Sequence, residues 1–107
     1  MAYKVRDAKA VEKSDLIGSE HTLAVTAEVQ VLKSNEQPHL AEAAPQGFNP
    51  KELILDLTVS GAGELGGNIV LWKQVSFEKK ISGHQYGNVM LRQSGAEETI
   101  PVEQVLS

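Results

Sequence analysis

The chain of 107 residues contains no cysteine. Disulfides, thiol catalysis and cysteine-ligated zinc or iron–sulfur centres are thereby excluded. The same absence fits a reducing compartment, and a cytoplasmic location is the expectation. An exported chain already stripped of a leader would read the same way. Aromatic residues are scarce: one tryptophan, two tyrosines and two phenylalanines. Acids exceed bases, with a net charge of −4. Binding of nucleic acid calls for a basic surface interleaved with exposed aromatics, so no nucleic-acid partner is expected. Purely aliphatic or aromatic runs are short, as in "IVLW" at 69–72. A membrane-crossing helix needs about 20 apolar residues, so no membrane partner is expected either. The N-terminal segment, 1–19, lacks the apolar centre of a signal peptide.

What is present reads as one domain over 1–107. The hydrophobic fraction of 41% is ordinary for a globular chain. "HTLAVTAEVQVL" at 21–32 alternates, with Leu23, Val25, Ala27, Val29 and Val31 on one face. "KELILDLTVS" at 51–60 repeats the pattern through Leu53, Leu55, Leu57 and Val59. "NIVLWKQVSFEKKIS" at 68–82 does so through Ile69, Leu71, Val75, Phe77 and Ile81, with Lys73 and Lys79 interrupting the apolar row. Period two is the signature of half-buried strands. The last of these runs is long for a small domain, and a bulge is expected near Lys73–Gln74. "GNVMLRQSGAEETIPVEQV" reads as a hairpin turning at 94–96, with Pro101 predicting an edge strand. At the N-terminus, "DAKAVEKSDLIG" predicts one short helix with Ala10, Val11, Ser14 and Ile17 on a weak apolar stripe, stopped by Gly18. The fold class is all-β and mainly antiparallel: a small sandwich or partly open barrel of five to seven strands.

Charge is laid down in blocks. Residues 1–14 and 65–95 carry a basic excess, and residues 15–64 and the tail an acidic one. Pairing across neighbouring strands is the plain account of such blocks.

"SGAGELGGN" at 60–68 holds four glycines after a strand signal. Gly61, Gly63 and Gly66 match the spacing of a dinucleotide-binding turn. That turn must open a helix, whereas the residues that follow alternate like a strand. No lysine stands in the turn for a phosphate loop. The glycines are expected to supply positive φ angles in a strand-to-strand connection. Both this stretch and "SGHQYGN" at 82–88 have the length of hairpin loops.

Two irregularities carry the functional reading. Residues 34–50 hold three of the four prolines and no periodicity, and predict a long loop. His39 and Phe48 are its candidate contact residues, with Phe48 closing the loop on the domain. Second, Ile54, Val70, Trp72 and Met90 fall on the face opposite the main apolar row. Either another element covers them, such as the N-terminal segment through Val11, Leu16 and Ile17, or they meet a partner. A slip at a bulge would instead turn Trp72 inward.

Catalytic signals are sparse. His21, His39 and His84 lack helical metal-site spacing, and there is no Gly-x-Ser-x-Gly elbow. No metal or cofactor is expected. The sequence thus favours a non-enzymatic binding or assembly module, acting by protein–protein interaction or as a homodimer. Its means would be an apolar sheet face and the proline-bearing loop. The alternative is a small-ligand-binding barrel or small enzyme with a pocket near His84 and Tyr86.

Overall fold

Alternation of side chains dominates the folded chain. The computed structural model describes residues 3–15, 20–44, 46–47, 49–61 and 68–106. None of the described residues is helical, and most lie in strands. The strands are β1 (Val5–Ser14), β2 (His21–Lys33), β3 (Gln37–Glu42), β4 (Glu52–Ser60), β5 (Asn68–Ile81), β6 (Asn88–Gln93) and β7 (Ala96–Leu106). They form one sheet in the order β3-β4-β6-β7-β1-β2-β5. The β4–β6 and β1–β7 pairs are parallel and the other four antiparallel. The terminal strands β3 and β5 come together, so the sheet curls into a nearly closed barrel.

The inward row of each strand fills that barrel. Leu23, Val25, Ala27 and Val29 of β2 meet Leu53, Leu55 and Leu57 of β4, Val89 and Leu91 of β6, Val75 and Ile100 in one buried cluster. Burying each such aliphatic side chain contributes about 1.5–3 kcal/mol, and the fold rests on this row.

Lys73 and Lys79 share the inward face of β5 with Val75 and Phe77, since their partners on β2 are the inward Val29 and Leu23. The interior does not receive their charges. Both side chains reach the seam where β5 meets β3. Lys73 Nζ donates to the carbonyls of Ser34 and Glu36, each at 2.6 Å. Lys79 Nζ bonds Glu42 Oε1 at 2.5 Å. Inward-pointing charges on a terminal strand also discourage edge-to-edge aggregation.

Several sequence expectations are corrected. The N-terminal helix does not form. Residues 5–14 pair with β2, and Ala10–Ser14 also with β7, and that pairing outweighs a weak helical stripe. A bulge does occur there: Asp7 has φ 53°, and the register shifts between Arg6 and Lys9. The β5 ladder runs without interruption through Lys73–Gln74, and its irregularity lies opposite 31–33 of β2. The expected loop 34–50 contains β3, with Pro38 buried within it. A terminal strand tolerates proline because one of its edges needs no donor. Pro101, in contrast, sits in a strand flanked by β6 and β1. It stands just before pairing with β1 begins at Val102, so its missing N–H costs no ladder bond there. Finally, 61–67 and 82–87 are crossovers rather than hairpins, since neither β4 and β5 nor β5 and β6 are neighbours. Residues 62–67 of the glycine-rich stretch, and Leu16, Ile17 and Gly18, lie outside the described residues. The 93–96 hairpin forms as expected, with Gly95 at φ 89°.

The two ends of the barrel differ. One is marked by His21, Ile81, Glu42 and Glu52, the other by Tyr3, Gln37, Gln93 and Ala96.

Candidate functional site

The strongest polar cluster lies at the His21 end and centres on Glu12. Pairing with Leu23 turns Glu12 to the inside of β1, where it is 1% exposed. A carboxylate so buried is tolerated only if its oxygens are satisfied. The backbone N–H of His84 donates to both oxygens, at 3.1 and 3.2 Å. The Gln104 amide donates to Oε1 at 3.4 Å. His21 Nδ1 lies 3.0 Å from Oε2. Burial raises the Glu12 pKa, but the His84 N–H, the Gln104 amide and His21 together outweigh it, and the carboxyl stays below its ordinary value. One side chain thereby ties together β1, β2, β7 and the 82–87 crossover. Glu12 escapes a helical reading of 7–18, and only a period-two reading of "AKAVEKS" would place it inward with Ala10.

His84 and Tyr86 belong to the same end. His84 is exposed and adopts φ 56°, a left-handed conformation uncommon outside glycine. The bond from its N–H to Glu12 helps to hold that turn, and Lys51 Nζ reaches its carbonyl at 3.3 Å. Gly83 lies against the His21 ring, where a Cβ would stand 3.0 Å from Nε2. The Tyr86 hydroxyl accepts from Lys79 Nζ at 3.3 Å, and the ammonium stands 5.6 Å from the ring centroid. The bond to Glu42, then that to Tyr86, raise the Lys79 pKa despite its partial burial. Among the described residues no group of His, Asp or Glu is arranged to hold a metal ion.

The four outward apolar residues do not make one surface. Ile54 and Met90 face each other across the parallel β4–β6 pair near the His21 end. Ile54 is only 7% exposed. Gln46 and Gly47, between β3 and β4, lie against it, and Leu16 and Ile17 of the expected N-terminal cover lie outside the described residues. A Cβ on Gly47 would lie 3.0 Å from Ile54 Cδ1, and the Gln46 carboxamide bonds both the N–H and the carbonyl of Ile54. Met90 is half-buried.

Val70 and Trp72 lie at the other end, on β5. Arg6 stacks over the Trp72 ring with its Cζ 4.0 Å from the centroid, while its Nε holds Glu28 at 3.1 Å. Trp72 is half-buried beneath it. Val70 remains 63% exposed, and Leu32, on the adjoining stretch of β2, 49%. Leu32 was not singled out by sequence because it ends an otherwise regular strand. His39 is exposed on β3, with Nε2 2.9 Å from Ser60 Oγ. Phe48 lies outside the described residues.

No protein-family model, curated protein or solved structure matches this chain.

Proposed function

We propose that this chain is a non-enzymatic binding or assembly module that self-associates through the outer face of β2 and β5 at the Tyr3 end. The observation that supports this reading is the exposure of both Leu32 and Val70, on adjoining stretches of β2 and β5, with Trp72 in the same strand as Val70. Two large aliphatic side chains that remain about half exposed or more lose favourable free energy in water. A neighbouring tryptophan capped by arginine adds the residue types enriched at interface centres. The interior offers no competing site of comparable promise, because aliphatic side chains fill it and Glu12 is engaged in holding the fold together. A two-fold dimer is the commonest closed arrangement for such a patch.

Analytical ultracentrifugation across a concentration series tests the reading. The wild-type chain is expected to sediment as a concentration-dependent dimer. Val70→Glu is expected to sediment as a monomer and, at concentrations where the wild-type chain is itself monomeric, to unfold at the same temperature, since Val70 is 63% exposed. A wild-type chain that stays monomeric at high concentration defeats the self-association reading.

A further inference from the structure

The barrel wall is split between β1 and β7. Their parallel ladder begins only at Ala10↔Val102. Before that point β7 pairs with β6 alone, and β1 pairs with β2 through the bulge at Asp7. The resulting cleft has a volume of about 110 Å³ and is lined by Tyr3, Val5, Leu91, Gln93, Ala96, Glu97 and Glu98.

The β7 wall presents a backbone edge. Val102 N–H turns away from the split and donates to the carbonyl of Gly87, just before β6, at 2.9 Å. Backbone direction alternates along a strand, so Glu97 and Thr99 turn their N–H and carbonyl groups toward the split. Pro101 ends that free edge with a carbonyl only. From the β6 end of the 93–96 hairpin the Gln93 carboxamide crosses to the opposite wall, accepting from Tyr3 N–H at 2.7 Å and donating to the Tyr3 carbonyl at 2.8 Å. A side-chain amide therefore occupies the place of a neighbouring peptide group.

The chemistry of the cleft selects its occupant. Drug-sized ligands fill roughly 300–1,000 Å³, so this space suits one long side chain rather than a cofactor. Its lining sets apolar Val5, Leu91 and Ala96 beside the carboxylates of Glu97 and Glu98. Glu97 stands opposite Arg92 in the ladder, whose guanidinium is bonded to Asp56 at 2.8 Å. Glu98 is exposed and has no ion-pair partner among the described residues. The nearby cations lie elsewhere: Lys4 and Arg6 alternate with the cleft residues Tyr3 and Val5, and Arg6 is engaged by Glu28 and Trp72.

We propose that the β1/β7 split is a docking slot for an extended peptide segment carrying a lysine or arginine side chain. The peptide backbone adds to the free edge of β7 at Glu97 and Thr99. The aliphatic stem of the basic residue lies along Tyr3, Val5, Leu91 and Ala96, and its cationic end meets Glu98. This surface is distinct from the Leu32–Val70 patch and stands or falls without it.

The test uses the full-length chain and an array of short synthetic peptides. Each carries a central lysine, arginine, leucine or glutamate between alternating threonine and valine. The chain is expected to be retained by the lysine and arginine peptides and not by the glutamate ones. Glu98→Lys, an exposed change, is expected to weaken retention at least tenfold, whereas Lys80→Glu, an exposed change at the His21 end, leaves it unchanged. Amide shifts on adding the lysine peptide are expected at Tyr3, Glu97 and Thr99. Three outcomes overturn the proposal: no retention by the basic peptides, equal retention of lysine and glutamate, or retention indifferent to Glu98→Lys.

Discussion

Gly61 and Asn35 meet backbone to backbone. A Cβ on Gly61 would stand 2.4 Å from the Asn35 carbonyl oxygen, and Gly61 has φ 83°. The contact joins the end of β4 to the turn between β2 and β3. That turn is itself tightly held. The Glu36 carboxylate accepts from the N–H groups of Leu32 and Lys33 at 2.8 and 2.9 Å, and from the Tyr3 hydroxyl at 3.0 Å. Lys73 caps its carbonyls from the β5 side. The turn therefore cannot move aside for a side chain at 61.

Three glycines separate the two costs of adding a methyl group. Gly61→Ala meets both a left-handed backbone and a backbone clash, and is expected to lose more than about 2 kcal/mol. Gly95→Ala meets the backbone term alone, with φ 89° and open space around the Cβ, and is expected to lose about 1–2 kcal/mol. Gly87→Ala meets neither and should change stability by less than about 0.5 kcal/mol. Urea unfolding of the three variants reads the order directly. Equal losses at 61 and 95 would show that the Asn35 contact is relieved by movement.

Glu12 predicts an acid-sensitive fold. Its pKa is lowered in the folded chain because its hydrogen bonds outweigh the opposing effect of burial, and that of Glu36 is lowered first by the Leu32 N–H. As pH falls below the ordinary carboxylate range, the unfolded chain takes up protons before the folded one. Stability present at neutral pH is then lost progressively as pH passes down through the folded values. Glu12→Gln removes the charge while keeping the shape, and leaves His21 facing an amide. It is expected to cost about 3 kcal/mol at neutral pH and to flatten the acid limb of the stability curve. An acid limb of unchanged slope in Glu12→Gln would remove Glu12 as its origin.

The sequence showed the fold class through the strands that obey one rule. Leu23–Val31 and Leu53–Val59 alternate inward just as their spacing requires, because one face meets the core and the other water. The failures have a common cause: pairing over long sequence distance. Residues 7–14, the first part of the expected helix, become a strand because β2 pairs along them and β7, some ninety residues away, adds a second ladder from Ala10. Pro101 looks like an edge marker because sequence cannot show that a neighbouring strand begins its pairing one residue later. The same limit hides Glu12, whose donors come from β2, β7 and the 82–87 crossover. Val70 and Trp72 were legible as outward apolar residues. Ile54 was too, but its cover by Gln46 and Gly47 depends on how the 43–51 connection folds back.

Gln46 makes that cover testable. Its carboxamide accepts from Ile54 N–H at 2.8 Å and donates to the Ile54 and Ala43 carbonyls at 2.9 and 2.8 Å. Gln46→Ala removes these bonds from an exposed residue to the buried Ile54 and is expected to cost about 1–3 kcal/mol. Amide exchange at Ile54 should accelerate more than at Leu55 or Leu57, because only Ile54 loses its partner. Uniform acceleration along β4 would mean that the connection supports the whole strand rather than one peptide unit.

Closure of the barrel depends on side chains, and the Lys79–Glu42 pair is the clearest instance. The pair joins β5 to β3 where no backbone ladder does. Both side chains are partly solvated, so a double-mutant cycle of Lys79→Ala and Glu42→Ala is expected to give a coupling of about 0.5–1 kcal/mol, reduced by salt. The local effect should exceed the global one. Amide exchange in β3 is expected to rise in Lys79→Ala while β1 and β2 stay protected, since β3 would keep only its ladder with β4. The raised pKa of Lys79 gives the same contact a pH signature. Its stabilisation is present below the ordinary lysine value and is lost as pH rises through the higher folded one. Tyr3, raised first by burial and then by its bond to Glu36, adds a loss of the same sign. Stability should therefore fall again above about pH 10, and Lys79→Ala combined with Tyr3→Phe should reduce that alkaline limb. An alkaline limb unchanged in the double variant would assign it to other groups and leave the seam closed by packing alone.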